Sequence, residues 1–82
     1  MTVYKLPLVL EPQPEGGFTV TSPALPELIT EGDSVEEAPD NARDALAALI
    51  EAFHDLGQPL PAALRPFDDS APLAIEMALA VP

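Results

Sequence analysis

The sequence has no cysteine and no tryptophan, one histidine, and only 3 Lys and Arg residues in 82. Each shortage excludes something. Without cysteine there is no disulfide framework and no thiolate metal site, a composition compatible with the reducing cytoplasm, where the protein is expected. Three cations against 14 acids leave a net charge of −11. Such a surface repels phosphates, because binding DNA needs cations to displace its counterions, so direct DNA binding by this chain is not expected. No apolar stretch approaches the roughly 20 residues that a membrane helix needs. The start "MTVYKLPLVLEP" lacks a basic region followed by a long apolar run and a small-residue cleavage site, so no signal peptide is read. His54, the single histidine, lies beside Phe53 and Asp55, with no nucleophile or carboxylate pattern converging on it. A surface or helix C-terminal capping role suits it better.

What is present is apolar residue and acid. Hydrophobic content is 48%, too high for a disordered acidic tail. The length argues for one domain over residues 1–82. A domain of this size buries only about 60–65% of its unfolded surface, so a partner or self-association would help it. An acidic surface suits a basic partner and speeds encounter at low salt; solubility is the plainer use of the same charge.

The pattern along the chain reads β-β-β-α-β, an α+β fold. In Val3 to Glu11, Tyr4, Leu6, Leu8 and Leu10 share one face and Val3, Lys5, Pro7 and Val9 the other, as in a strand with a core side. Pro7 cannot donate to a ladder, which points to an edge or a bulge. "EPQPEGG" is turn chemistry, and "FTVTSP" alternates again with Phe18 and Val20 inward, so the two runs form a hairpin. "PALPE" is a stiff connector and "LIT" a short third strand ended by Gly32. A helix follows. Ser34 is its N-cap and Glu37 stands three residues on, a capping box. Val35, Ala38, Ala42, Leu46, Leu49, Ile50, Phe53 and Leu56 make one apolar stripe, with Gly57 as C′ and Pro59 beyond it. Pro39 conflicts with a helix running from Val35, because it lacks an N–H and crowds the preceding turn; a kink or break at Ala38–Pro39 is expected. "GQPLPAALRPFDDSAP" is a crossing loop with room for one helical turn at residues 62–65. "LAIEMALAV" alternates as a last strand, with Leu73, Ile75, Met77, Leu79 and Val81 on one face. Its other face, Ala74, Glu76, Ala78 and Ala80, is small enough to pack closely on another protein surface and is the candidate oligomer interface. Three consecutive strands suggest an antiparallel meander, with the helix covering one face and the last strand returning to the sheet.

No enzyme is read here. A metal-dependent nuclease needs acids converging from inward strand positions, and those positions are apolar. "EGG" is too short for a phosphate loop. Lys5, Arg43 and Arg65 form no basic patch. No catalytic residue, cofactor or metal ligand is assigned, and a binding module remains.

The stretch "EGGFTVTSPALPELITEGDSVEEA" followed by "NARDAL" resembles the N-terminal domain of HicB-like antitoxins. The matching positions are Gly16, Gly17 and Phe18; Pro23, Leu25 and Pro26; Thr30 to Ser34; Glu36, Glu37 and Ala38; and Asn41, Ala42 and Arg43. Glu27, where glycine is common, and Pro39, where an apolar helix former is usual, depart from the pattern. The resemblance implies a partial ribonuclease H-like fold without that enzyme's catalytic acids. It also implies a prokaryotic toxin-antitoxin system, in which the antitoxin neutralises a small basic HicA-like toxin, an mRNA-cleaving ribonuclease. Charge complementarity makes physical sense of such a pair. Candidate contacts are the helix acids Glu36, Glu37, Asp40 and Asp44 and the loop acids Glu15, Glu31 and Asp33. Many family members carry a further DNA-binding domain, which is not read in this chain. The alternative is a stand-alone HicB-like module that binds another protein without a toxin. Either reading expects a homo-oligomer, a dimer or tetramer.

Overall fold

The computed structural model describes every residue except Met1, Arg65, Asp68 and Asp69. The elements are β1 (Val3–Tyr4), β2 (Val9–Pro12), β3 (Phe18–Thr21), β4 (Ile29–Gly32), α1 (Glu37–Asp55) and β5 (Pro66–Phe67). The expected α+β order is present in outline. β2, β3 and β4 form an antiparallel meander in that order, with Val9 opposite Thr21 and Pro12 opposite Phe18 on one side of β3. Gly32 stands opposite Phe18 and Ile29 opposite Thr21 on the other side. β1 and β5 make a separate two-stranded antiparallel pair, Val3 opposite Phe67 and Tyr4 opposite Pro66.

Two strands differ from the pattern read in the sequence. The alternation of Val3 to Glu11 survives as burial, with Tyr4, Leu6, Leu8 and Leu10 half-buried and Lys5, Pro7 and Val9 exposed. Hydrogen-bonded pairing, however, stops between Tyr4 and Val9, around the proline that cannot donate. β2 is left as an edge strand, where proline is tolerated. The return strand is also displaced. The chain pairs again at Pro66–Phe67, with β1 and not with the three-stranded meander, whereas residues 72–82 form no strand and are exposed. Alternation makes a segment fit to be a strand, but a strand also needs a neighbour to take its backbone hydrogen bonds.

Val20, Leu25, Leu28, Ala38, Ala42 and Leu64 form the buried core. Three of these come from loops. In "SPALPEL" two successive turns carry Leu25 and Leu28 inward: the Leu25 N–H donates to the Ser22 carbonyl at 3.3 Å and the Leu28 N–H to the Leu25 carbonyl at 3.0 Å. Leu64 follows a third turn, its N–H donating to the Pro61 carbonyl at 2.9 Å. Ala62 and Ala63 occupy that turn, and Arg65 lies outside the described residues. Ser22 is buried among these apolar groups, its hydroxyl accepting from the Ala24 N–H.

α1 lies on one face of the meander through its first half. Ala38 and Ala42 are buried, whereas Leu46, Leu49, Ile50 and Phe53 are only half-buried and Leu56 is exposed. The regular helix begins at Glu37, with Pro39 its third residue; the Ala38 N–H already donates to the Ser34 carbonyl at 3.3 Å, and the proline omits the next bond of that series, to the Val35 carbonyl. The break expected at Ala38–Pro39 is not found: regular helix runs through both residues, and Glu36, in the turn ahead of it, is already at helical dihedrals (φ −69°, ψ −31°). At the other end the Gly57 N–H donates to the His54 carbonyl and the Gln58 N–H to the Phe53 carbonyl, both at 3.0 Å. With Gly57 at φ +66°, this is a Schellman stop, and His54 is exposed in the last turn.

The tightest approach joins three elements. A Cβ on Gly32 would sit 3.2 Å from both Cα and N of Ala38, and a Cβ on Gly17, at φ +74°, would sit 3.1 Å from the Gly32 carbonyl oxygen. Hairpin loop, end of β4 and first turn of α1 stack there so closely that a methyl group would have to push its neighbours back by a few tenths of an ångström. Gly32→Ala should therefore destabilise the fold by about 1–3 kcal/mol, read as a fall of several degrees in Tm. An unchanged Tm would show that the helix start can yield.

Candidate functional site

The loop that closes the β2–β3 hairpin and the turn that starts α1 meet at one end of the molecule. In the first, the Gln13 N–H donates to the Gly17 carbonyl and the Gly16 N–H to the Gln13 carbonyl, both at 3.0 Å. Gly16 and Gly17 supply the positive φ that the reversal requires. In the second, the Ser34 hydroxyl accepts from the Glu37 N–H at 3.2 Å. The Glu37 carboxylate reaches back to the Asp33 N–H at 2.8 Å. Ser34 and Glu37 thus make a box-like pair of bonds, but not the capping box expected from the sequence: the N-cap residue of the regular helix is Glu36, and the return bond goes to Asp33 instead of Ser34. Asn41 fastens the helix to the strand, its amide donating to the Glu31 carbonyl at 2.7 Å.

The result is an acidic surface. A shallow polar pocket of about 170 Å³ at this end is lined by Glu15, Glu31 and Asp33, with Phe18 and Thr19 among the others. Glu36, Asp40 and Asp44 continue along α1 at four-residue spacing, one row on a helix face. All seven predicted contact acids are exposed. The structure thus brings Glu15, Glu31 and Asp33 together around the pocket and sets Glu36, Asp40 and Asp44 in a row. Glu37 differs from the rest, because its carboxylate is occupied by the cap. Asp40 also has a local partner, Arg43, at 3.1 Å; both side chains are more than two-thirds exposed, so this pair adds little. Among the described residues no group of three His, Cys, Asp or Glu side chains could hold a metal ion, and no helix is long and apolar enough to cross a membrane. Ala74, Glu76, Ala78 and Ala80 lie in the exposed segment after β5, away from any strand.

Three residues matter more here than pattern reading suggested. Gly17 and Gly32 read as turn glycines, but the packing of Gly17 on Gly32 and of Gly32 on Ala38 needs the three-dimensional register. Asn41 sits ten residues from the carbonyl it binds, a separation that helical periodicity does not reveal.

Comparison with known proteins agrees with this arrangement. The family described as the HicB-like antitoxin of bacterial toxin-antitoxin systems matches residues 6–71, and the chain belongs to that family. It is 40% identical over 57 residues to antitoxin HicB 1 of Photorhabdus laumondii, covering 70% of this chain and 37% of that protein. It is 36% identical over 66 residues to antitoxin HicB of Escherichia coli K12, covering 78% of this chain and 48% of that protein. The chain thus spans less than half the length of these curated relatives.

The cap and the surface ion pair should separate in a stability measurement. Glu37→Ala removes the acceptor for the Asp33 N–H and should cost about 0.5–2 kcal/mol, whereas Arg43→Ala should leave the denaturation midpoint unchanged within error. Equal effects would contradict this division of labour.

Proposed function

We propose that this chain is an antitoxin that binds and neutralises a small basic, mRNA-cleaving toxin of the HicA type through the acidic face at the start of α1. Family membership supports the class of partner. The single observation that carries the reading to a surface is the convergence of Glu15, Glu31 and Asp33 around one pocket, with the row Glu36, Asp40 and Asp44 beside it. A chain of net charge −11 presents negative potential over much of its surface, and here the acids sit beside the side-chain bonds that fasten the helix start. A protein that binds RNA must display cations, and covering those cations with fixed carboxylates competes directly with phosphate. In this reading the chain acts as one non-catalytic domain in the cytoplasm, and this domain makes no contact with DNA.

The test is capture from native lysate with the chain as bait. A small basic protein should be retained at low ionic strength and released at high salt, and the bait should inhibit its ribonuclease activity. Reversing Glu31, Glu36 and Asp44 to lysine, with Glu37 left intact so that the helix start survives, should weaken that capture by at least about tenfold and flatten its salt dependence. Capture that is indifferent to both salt and charge reversal would contradict the proposal.

A further inference from the structure

α1 covers one face of the meander, and the register of the sheet fixes what stands on the other. Leu10, Val20 and Thr30 lie opposite one another across the three strands. They face the helix, since Val20 is core and Leu10 packs against it. Side chains alternate along a strand, so the rows on either side point away from the helix. One is Val9, Thr21 and Ile29; the other, two residues along, is Glu11, Thr19 and Glu31. Burial agrees. Val9 is 43% and Ile29 67% exposed, Glu11 and Glu31 are exposed, and the two threonines between them are half-buried.

This outer face is graded. At one end two β-branched apolar side chains flank the methyl group of Thr21 in a single cross-strand row about 10 Å wide. Isolated exposed apolar residues are ordinary, but here two share one row. About 7 Å along the strands, the same three positions carry acid, threonine and acid. Beyond them lies the pocket that Glu15 and Asp33 also line. Glu31 and Thr19 belong to both, so the outer face and the acidic pocket form one continuous surface.

Charge selects what covers it. A nucleic acid or an anionic membrane surface meets Glu11 and Glu31 with like charge. The two rows hold no cation, so a second copy of the same face cannot neutralise them. A basic protein can. On the antitoxin reading given above, we infer that the small basic toxin extends from the pocket over this face. It sets an apolar side chain on Val9, Thr21 and Ile29, while cations one row away meet Glu11 and Glu31. Burial of the apolar row supplies affinity that salt does not screen, and the acid row supplies register and salt dependence. Val9, Glu11 and Ile29 thereby join the partner-binding residues.

The probe is the small basic ribonuclease retained in the capture described above, purified and titrated calorimetrically against the full chain at low and high salt. Val9→Thr with Ile29→Thr keeps both positions β-branched, so the strands persist. This pair should weaken binding about tenfold at both salt concentrations. Glu11→Gln should weaken it at low salt only. Thr21→Val enlarges the apolar row and should tighten binding about threefold, an outcome that a damaged fold cannot produce. If the double variant and Thr21→Val both bind as the parent chain does, in a complex that still loosens with salt, the inference falls and the antitoxin reading stands. If no small basic ribonuclease is retained, the two fall together.

Discussion

The first turn of α1 lies close against the end of β4, where a Cβ on Gly32 would come within 3.2 Å of the Ala38 backbone. Almost everything else in the structure depends on that approach. Because Gly32 has no side chain, Ala38 can pack onto the backbone of the strand, and Ala38 and Ala42 can enter the core with Val20 and Leu28. The same approach lets the hairpin loop close over the strand end through Gly17 and brings Glu31 within reach of the Asn41 amide. A small domain with a thin core cannot hold its helix by burial alone. Here burial is helped at one end by close backbone packing and by the side-chain bonds of Ser34 and Glu37.

That packing also gathers the charge. Carboxylates repel one another and would spread if they sat on mobile loops. The stack of loop, strand end and helix start holds Glu15, Glu31 and Asp33 around one depression and continues the negative surface along the helix through Glu36, Asp40 and Asp44. On the proposed function, the site works by presenting charge to a partner. The division among the acids follows from geometry: Glu37 is committed to the Asp33 N–H, so it stabilises the scaffold that the others decorate.

Much of this was legible in the sequence, for physical reasons that differ by element. Helix α1 announced itself through a full apolar stripe, Ser34 and Glu37 at capping-box spacing, and Gly57 at its stop. The hairpin followed from two alternating runs around a Gly-Gly turn. Leu25, Leu28 and Leu64 could not be recognised as core from periodicity, because each is delivered by a turn, whose direction depends on local hydrogen bonds. The last strand was misplaced for a related reason. Alternation in Leu73 to Val81 records what the segment is suited to do, whereas a strand exists only where a free edge is within reach, and in the single chain Pro66–Phe67 pairs instead. The acids of the site were named individually, but their grouping around one pocket depends on the register between β3 and β4, which no local pattern encodes.

The central claim is that the acidic face at the start of α1, and not the apolar segment after β5, meets the basic partner. Hydrogen–deuterium exchange of the full chain, alone and with its captured partner, tests it most directly. The account predicts new protection over residues 13–19 and 31–44, with residues 73–81 unaffected by the partner. Protection confined to residues 73–81, with the hairpin loop and helix start exchanging as in the free chain, would contradict it.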